Sequence, residues 1–223
     1  MAGYYDDRLS GDRLRTCYEL APPRIRRYLE AEIRFVADRL RDARLVLELG
    51  CGYGRALREI ARAVPQTVGC DTSRTSLLLA RSYLKPRRDA ALVRTDAARL
   101  GFRSSTFDAV VCIQNGISAF GTDCRQLVSE AMRVARPGGR VLFSSYSPGI
   151  WEERLDWFRI QAKAGLLGEI DEDRTADGTI VCKDGFRATT VDREEFARLF
   201  HGVGSRAELR EVDGSSLFCV VTK

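Results

Sequence analysis

No run of about 18 apolar residues occurs in this chain, so no membrane span is expected. The opening Met1-Ala2-Gly3-Tyr4-Tyr5-Asp6-Asp7 lacks the basic-then-apolar pattern of a secretion signal, which leaves cytoplasm as the expected location. Among seven cysteines there is no CxxC pair and no zinc-ligand spacing, so neither a metal site nor a disulfide framework is expected. Histidine occurs once, as His201, ahead of a glycine at an expected helix end. Contact with that helix terminus is expected of it rather than contact with a substrate. The only compact basic clusters are Arg24, Arg26 and Arg27, and Arg87 with Arg88. A net charge of +5 without a long basic stripe and interleaved aromatics reads as a solvated surface, and no nucleic-acid partner is expected.

What is present is ample for a core. The chain has 223 residues, 44% hydrophobic and 30% charged, which suits one α/β domain with appendages. The stretch Val46-Leu47-Glu48-Leu49-Gly50-Cys51-Gly52-Tyr53-Gly54-Arg55 runs from a buried-strand pattern through three glycines into helical spacing. That geometry brings backbone close to a polar ligand. Glu48, just before the glycines, implies that the ligand also carries a positive group.

Pro22-Pro23 opens an amphipathic helix in which Ile25, Leu29, Ile33, Val36 and Leu40 recur at three- and four-residue steps. Strands are expected at 44–49, 67–71, 91–94, 107–113 and 140–145. Helices are expected at 55–64, at 74–84 with Ser73 as cap, and from a Thr122 cap to about Ala135. Beyond them come a helix at 150–167, a hairpin at 179–191, an Asp192/Glu195 capping box, and two closing strands at 207–212 and 217–221.

This alternation predicts a Rossmann-like seven-stranded mixed sheet, five parallel strands plus an antiparallel closing pair, with helices on both faces. One domain over 1–223 is the simplest account. It divides into a helical arm or lid (1–42), a ligand-binding core (43–146), a helix and hairpin lid (147–204) and closing strands (205–223). The polar residues gather at strand ends: Glu48, Asp71, Asp96, Gln114 and Asn115. Such ends face the ligand crevice of an open α/β sheet.

The turn does not fit G-x-G-x-x-G, because Arg55 stands where the third glycine would be, and this disfavours a dehydrogenase. No Gly-Lys-Ser/Thr follows, which excludes a Walker turn. Asp71 lies where an acid could hold both ribose hydroxyls. Bland readings stand beside these. Glu48 could pair with an arginine, Asp71 and Asp96 could cap helices or form turns, and Asn115 could simply precede Gly116 in a turn.

Glu48-Leu49-Gly50-Cys51-Gly52-Tyr53-Gly54, Gly69-Cys70-Asp71, Thr95-Asp96-Ala97, Phe107-Asp108-Ala109-Val110-Val111 and Arg133-Val134-Ala135-Arg136-Pro137-Gly138-Gly139, in this order, resemble the motifs of class I S-adenosylmethionine-dependent methyltransferases. The resemblance is to the small-molecule subgroup called the type 11 methyltransferase domain. It covers roughly residues 44–146 and is weak over 1–40 and 150–204.

The resemblance implies S-adenosyl-L-methionine as cofactor, held by Glu48, Gly50, Cys51, Gly52, Asp71, Thr72, Asp96, Ala97 and Gln114. Gly50 and Gly52 would admit the methionine moiety beside open backbone amides, and Glu48 would face its ammonium. Asp71 and Thr72 would meet the ribose, Asp96 and Ala97 the adenine, and Gln114 the methyl group. The reaction implied is in-line methyl transfer, for which the protein mainly supplies alignment and a dry pocket.

No general base is identifiable, so the catalytic residues are left unassigned. There is no Asn/Asp-Pro-Pro-Tyr after the fourth strand and no Pro-Cys nucleophile, so a small-molecule acceptor is expected. Tyr4, Tyr5, Tyr18, Asn115 and Trp151 are the candidates to hold it, with Trp157, Phe158 and Phe186 helping to exclude water. Cys70, Cys112 and Cys219 read as core residues. Cys17, Cys124 and Cys182 could together hold a thiophilic acceptor such as arsenite. The remaining alternative is a non-catalytic relative that binds the cofactor or a partner. The oligomeric state is left open.

Overall fold

The computed structural model describes residues 4–85, 89–121, 123–204 and 207–223. The expected basic pair Arg87–Arg88 and the Thr122 cap lie outside them. The helix expected from Thr122 starts with Asp123 as its cap, whose Oδ1 accepts the Arg125 amide at 2.9 Å. Among the described residues no helix is long and apolar enough to cross a membrane.

Three helices precede the sheet: α1 (Tyr4–Asp7), α2 (Gly11–Glu19) and α3 (Pro23–Arg39). Then come β1 (Leu45–Leu49), α4 (Arg55–Ile60), β2 (Gln66–Asp71), α5 (Arg74–Tyr83), β3 (Ala90–Arg94) and β4 (Phe107–Cys112). They are followed by α6 (Gly116–Ala119), α7 (Cys124–Val134) and β5 (Ala135–Tyr146). The last part holds α8 (Trp151–Lys163), a two-stranded hairpin β6 (Ile180–Val181) and β7 (Arg187–Ala188), α9 (Arg193–Leu199), β8 (Ala207–Val212) and β9 (Ser216–Thr222).

The main sheet has the order β3-β2-β1-β4-β5-β9-β8. β1 to β5 pair in parallel, and β9 runs antiparallel to both β5 and β8. Alternate strand residues serve opposite faces. Leu47, Val110, Val141 and Cys219 meet Leu127 and Ala131 of α7 and Phe196 of α9 on one face. Val46, Ala109, Leu142 and Phe218 meet Ile33 and Val36 of α3 and Ile60 of α4 on the other. Cys70, Cys112 and Cys219 are fully buried in the first of these layers, as small core residues.

Two elements differ from expectation. α4 stops at Ile60 instead of reaching Val64, because the amides of Arg62 and Ala63 turn to carbonyls three residues back, Glu59 and Ile60. β5 begins at Ala135, not Arg140. Phe107 faces Ala135 and Ala109 faces Arg140, so Pro137-Gly138-Gly139 is an insertion within the strand rather than a turn before it. A Cβ on Gly139 would come within 2.8 Å of the Arg136 carbonyl oxygen.

A third core joins arm and lid: Leu9, Cys17, Tyr28, Tyr146, Trp157, Phe158 and Phe186 pack together. Polar bonds hold the same parts. The Tyr4 hydroxyl donates to Asp184 at 2.8 Å, the Gly11 amide donates to Ser76 Oγ at 3.0 Å, and the Trp157 indole N–H donates to the Cys17 carbonyl at 3.0 Å. The basic cluster of α3 is not a free surface. Arg24 and Arg27 both pair with Asp213 in the β8–β9 turn, and Arg26 donates to the Ala21 and Glu19 carbonyls.

Glu32 of α3 is wholly buried where β4, β5 and β9 meet. Its carboxylate accepts the Gln114 amide at 2.7 Å, Ser144 Oγ at 3.0 Å and Ser216 Oγ. Burial pushes its carboxyl up to about 7, against the pull of those donors. A carboxyl raised in the folded state favours folding fully below its ordinary pKa, and that contribution is lost as pH rises through about 7. Urea unfolding of the ligand-free protein should therefore show stability falling from pH 5 to pH 8, and Glu32→Gln should remove part of that slope. Glu32→Ala, which leaves buried donors without their acceptor, should cost about 2–3 kcal/mol.

Candidate functional site

At the carboxyl ends of the parallel strands, where β1 lies between β2 and β4, a cavity of about 450 Å3 opens. The strand order reverses here, which leaves a crevice. It is lined by Glu48 near the end of β1 with Gly50, Cys51 and Gly52 after it, Asp71 at the end of β2 with Thr72 after it, Asp96 after β3, and Gln114 and Asn115 after β4. The arm adds Tyr5 and Tyr18, and the lid adds Trp157 and Phe158. Of the remaining candidates, Ala97 is buried behind the wall. Tyr4 faces away, its hydroxyl on Asp184 and its ring 4.7 Å from Phe186. Trp151 packs beside Arg154, 5.8 Å from its guanidinium, outside the cavity, as is Phe186.

The glycine turn is shaped by its own hydrogen bonds. Gly50 and Gly52 take φ of +69° and +53°, a region closed to most side chains. The Cys51 amide donates to the Cys70 carbonyl at 2.9 Å, the Gly52 amide to Asp71 Oδ2 at 2.9 Å, and the Gly54 amide to the Cys51 carbonyl at 2.8 Å. The expectation of open amides is therefore corrected for Gly52: the turn supplies room, and the Cys51, Gly52 and Gly54 donors face inward. Asp71 also takes the Ser73 amide on Oδ1 at 2.8 Å. Burial raises its carboxyl above the usual range despite both amides. Thr72 Oγ1 donates to Asp6 of the arm.

Four polar atoms in the cavity wall are buried without a partner: Glu48 Oε2, Arg55 Nε, Arg55 Nη2 and Gln114 Nε2. Glu48 is 4% exposed, and burial pushes its carboxyl up to about 8, with Arg55 pulling the other way. The Arg55 guanidinium lies 4.6 Å from the Tyr18 ring centroid. Unpaired buried groups of this kind are costly and call for a ligand. A carboxylate, a guanidinium and an amide in one wall suit a ligand that carries both an ammonium and a carboxylate.

Sequence reasoning missed Arg55, which it counted only as an absent glycine. The signal was there, since a cation at the first helical position after the turn faces the crevice. Glu32 was missed as well. It lies far back in the chain, and only the fold brings its carboxylate to the Gln114 amide.

Gln114 and Asn115 both have φ near +59°. Asn115 is more than a turn residue. Its Nδ2 donates to the Thr189 carbonyl at 2.8 Å, and its Oδ1 accepts Ser145 Oγ at 2.8 Å, tying the hairpin side of the lid to β5. Asp96 caps its own turn through the Ala98 amide at 2.9 Å. Cys17 and Cys182 are buried in the arm–lid core, whereas Cys124 packs against the sheet core and α6. The three thiols do not converge, and among the described residues no three metal-ligating side chains form a site, so the arsenite expectation is withdrawn. His201 is exposed just past α9 and does not line the cavity.

Residues 46–139 match a family described as "Methyltransferase domain". The chain is similar to malonyl-acyl-carrier-protein O-methyltransferase of Halalkalibacterium halodurans, 27% identical over 154 residues, 65% of this chain and 55% of the relative. It is also similar to demethylmenaquinone methyltransferase of Beutenbergia cavernae, 35% identical over 123 residues, 54% of this chain and 49% of the relative. The chain thus spans about half the length of the curated relatives it matches. Among solved structures, PH0226 protein from Pyrococcus horikoshii OT3 shares the fold, with TM-score 0.69 at 21% identity, over 92% of this chain and 93% of that one.

Asp71 holds two backbone amides before any ligand arrives. Asp71→Ala should therefore lower the stability of the ligand-free protein by about 1–3 kcal/mol in urea unfolding, through two unpaired amides.

Proposed function

We propose that this chain, which belongs to the class I S-adenosylmethionine-dependent methyltransferases, transfers a methyl group to a small-molecule acceptor held under the arm and lid. The family match and the fold support the cofactor. The observation that carries the reading is the set of unpartnered buried atoms on Glu48, Arg55 and Gln114 in one cavity. When bound, S-adenosylmethionine supplies a methyl carbon made electrophilic by a sulfonium.

The chain's residues divide the binding. Glu48 suits the ammonium, and Arg55 suits the carboxylate through a charge-assisted pair. Asp71 keeps lone pairs for the ribose hydroxyls, since each carboxylate oxygen accepts more than one donor. Asp96 stands at the next strand end for the adenine amino group, and Gln114 borders the methyl group. Tyr18, Trp157 and Phe158 exclude water from the reacting atoms. That malonyl-acyl-carrier-protein and demethylmenaquinone methyltransferases are similar in sequence supports a small organic acceptor.

Calorimetry should show binding of S-adenosylmethionine and S-adenosylhomocysteine and none of NAD; failure of the first two would overturn the proposal. Arg55→Met should weaken S-adenosylhomocysteine by about 2 kcal/mol, the worth of hydrogen bonds to a charged group. Glu48 is protonated below about 8 without ligand, and its ionised form is the one that pairs with the ammonium. Affinity should therefore rise from pH 6 to pH 8, and Glu48→Gln should flatten that rise.

A further inference from the structure

One end of the cavity is not used by the groups that suit the methyl donor. Tyr5, Tyr18, Tyr146, Trp157, Phe158 and Gln161 line it. Four carboxylates line the cavity: Glu48, Asp71 and Asp96 at the first three strand ends, and Asp6 of the arm, which takes the Thr72 hydroxyl beside them. Among the described residues no lysine or histidine lines the cavity. Glu32 lies behind Tyr28 and Tyr146, with its carboxylate taken up by Gln114, Ser144 and Ser216.

Arg154 stands behind the aromatic wall and is 1% exposed. Its guanidinium lies 4.3 Å from the Tyr146 ring centroid and 5.5 Å from that of Phe158. Nη1 donates to the Gly178 carbonyl at 2.8 Å and Nη2 to the Ala188 carbonyl at 3.1 Å, while Nε has no partner. No carboxylate of the described residues is ion-paired with it. A fully buried arginine is ordinarily given a carboxylate. Here carbonyls and ring faces take that place, and the guanidinium acts on the Tyr146 hydroxyl against the pull of Tyr18 and Glu32.

The other polar groups at this end are engaged. The Trp157 indole N–H is on the Cys17 carbonyl, and the Asn115 amide is on Thr189 and Ser145. The phenol hydroxyls of Tyr5, Tyr18 and Tyr146 and the Gln161 amide remain. Burial raises all three phenols above their ordinary range, so they stay protonated and act as donors. Three of the rings at this end already carry a cation on one face, Arg55 on Tyr18 and Arg154 on Tyr146 and Phe158.

We propose that this end of the cavity binds a flat acceptor through an anionic oxygen, a carboxylate or an acidic enol or phenol, with the tyrosine hydroxyls donating to it in the field of Arg154. This rests on the methyl-transfer reading above and names its acceptor class. An oxygen that arrives ionised needs no base. Its electron pair forms the new carbon–oxygen bond as the methyl carbon–sulfur bond breaks, the released pair stays on sulfur, and no proton changes place. No general base is then required beside the acceptor. An ammonium acceptor would need both a counter-carboxylate and a proton acceptor at this end.

The test uses the full chain saturated with S-adenosylhomocysteine, whose own binding reports on the cofactor reading separately. Benzoate and benzylamine, alike in shape and opposite in charge, are titrated by calorimetry. Benzoate should bind and benzylamine should not. Tyr146→Phe, which keeps the ring, should weaken benzoate about tenfold, the worth of a hydrogen bond to a charged group, and leave S-adenosylhomocysteine affinity unchanged. Arg154→Lys, which keeps a buried cation, should weaken benzoate less than Tyr146→Phe does. Benzylamine binding as well as benzoate, no benzoate binding to the loaded protein, or benzoate affinity untouched by Tyr146→Phe would each overturn the proposal.

Discussion

The bond from the Gly52 amide to the Asp71 carboxylate is the joint on which the site depends. It spans the ends of two neighbouring strands, and with the Ser73 amide it fixes the glycine turn against the start of α5. The turn is therefore set in its ligand-accepting shape before a ligand arrives, and the left-handed φ values of Gly50 and Gly52 are held by a buried charge rather than by the ligand. Preorganisation of this kind lowers the ordering cost of binding.

Charges around the cavity follow from the same economy of donors. The Cys51, Gly52 and Gly54 amides are satisfied inside the turn, and the positive group in the cavity wall is a side chain, Arg55. Because Glu48 is buried and unpaired on Oε2, its carboxyl is raised until a cation joins it. The two groups face one space without an ion pair between them, which leaves both open to a zwitterion. Glu32 holds the far wall in a similar way, fixing the Gln114 amide at a backbone conformation that a non-glycine residue rarely adopts.

Arm and lid close the cavity from segments distant in the chain. Leu9, Cys17 and Tyr28 pack against Trp157, Phe158 and Phe186, and Asn115 ties the hairpin side to the sheet. The aromatic wall is thus part of a hydrophobic core as well as of a site, and its substitution would disturb both. Arg154 inside that core has no carboxylate partner, an arrangement that packing alone does not require.

Local pattern determined the sheet and the polar residues at its carboxyl edge. Strand periodicity, glycine spacing and an acid at each of the first three strand ends are short-range signals, and Glu48, Asp71, Asp96 and Gln114 all reach the cavity at that edge. The same signals placed the end of α4 and the start of β5 wrongly, because turn hydrogen bonds at Arg62 and a register shift at Asp108 are settled by neighbouring strands and turns. Tertiary structure alone decided that the Gly52 and Gly54 amides are taken up within the turn, that Arg55 lines the cavity, that Tyr4 and Trp151 stand outside it, and that Cys17, Cys124 and Cys182 remain apart. The physical reason is separation along the chain. Which donor meets which acceptor, and which aromatic ring lines a cavity instead of a core, depends on contacts between segments that sequence spacing does not encode.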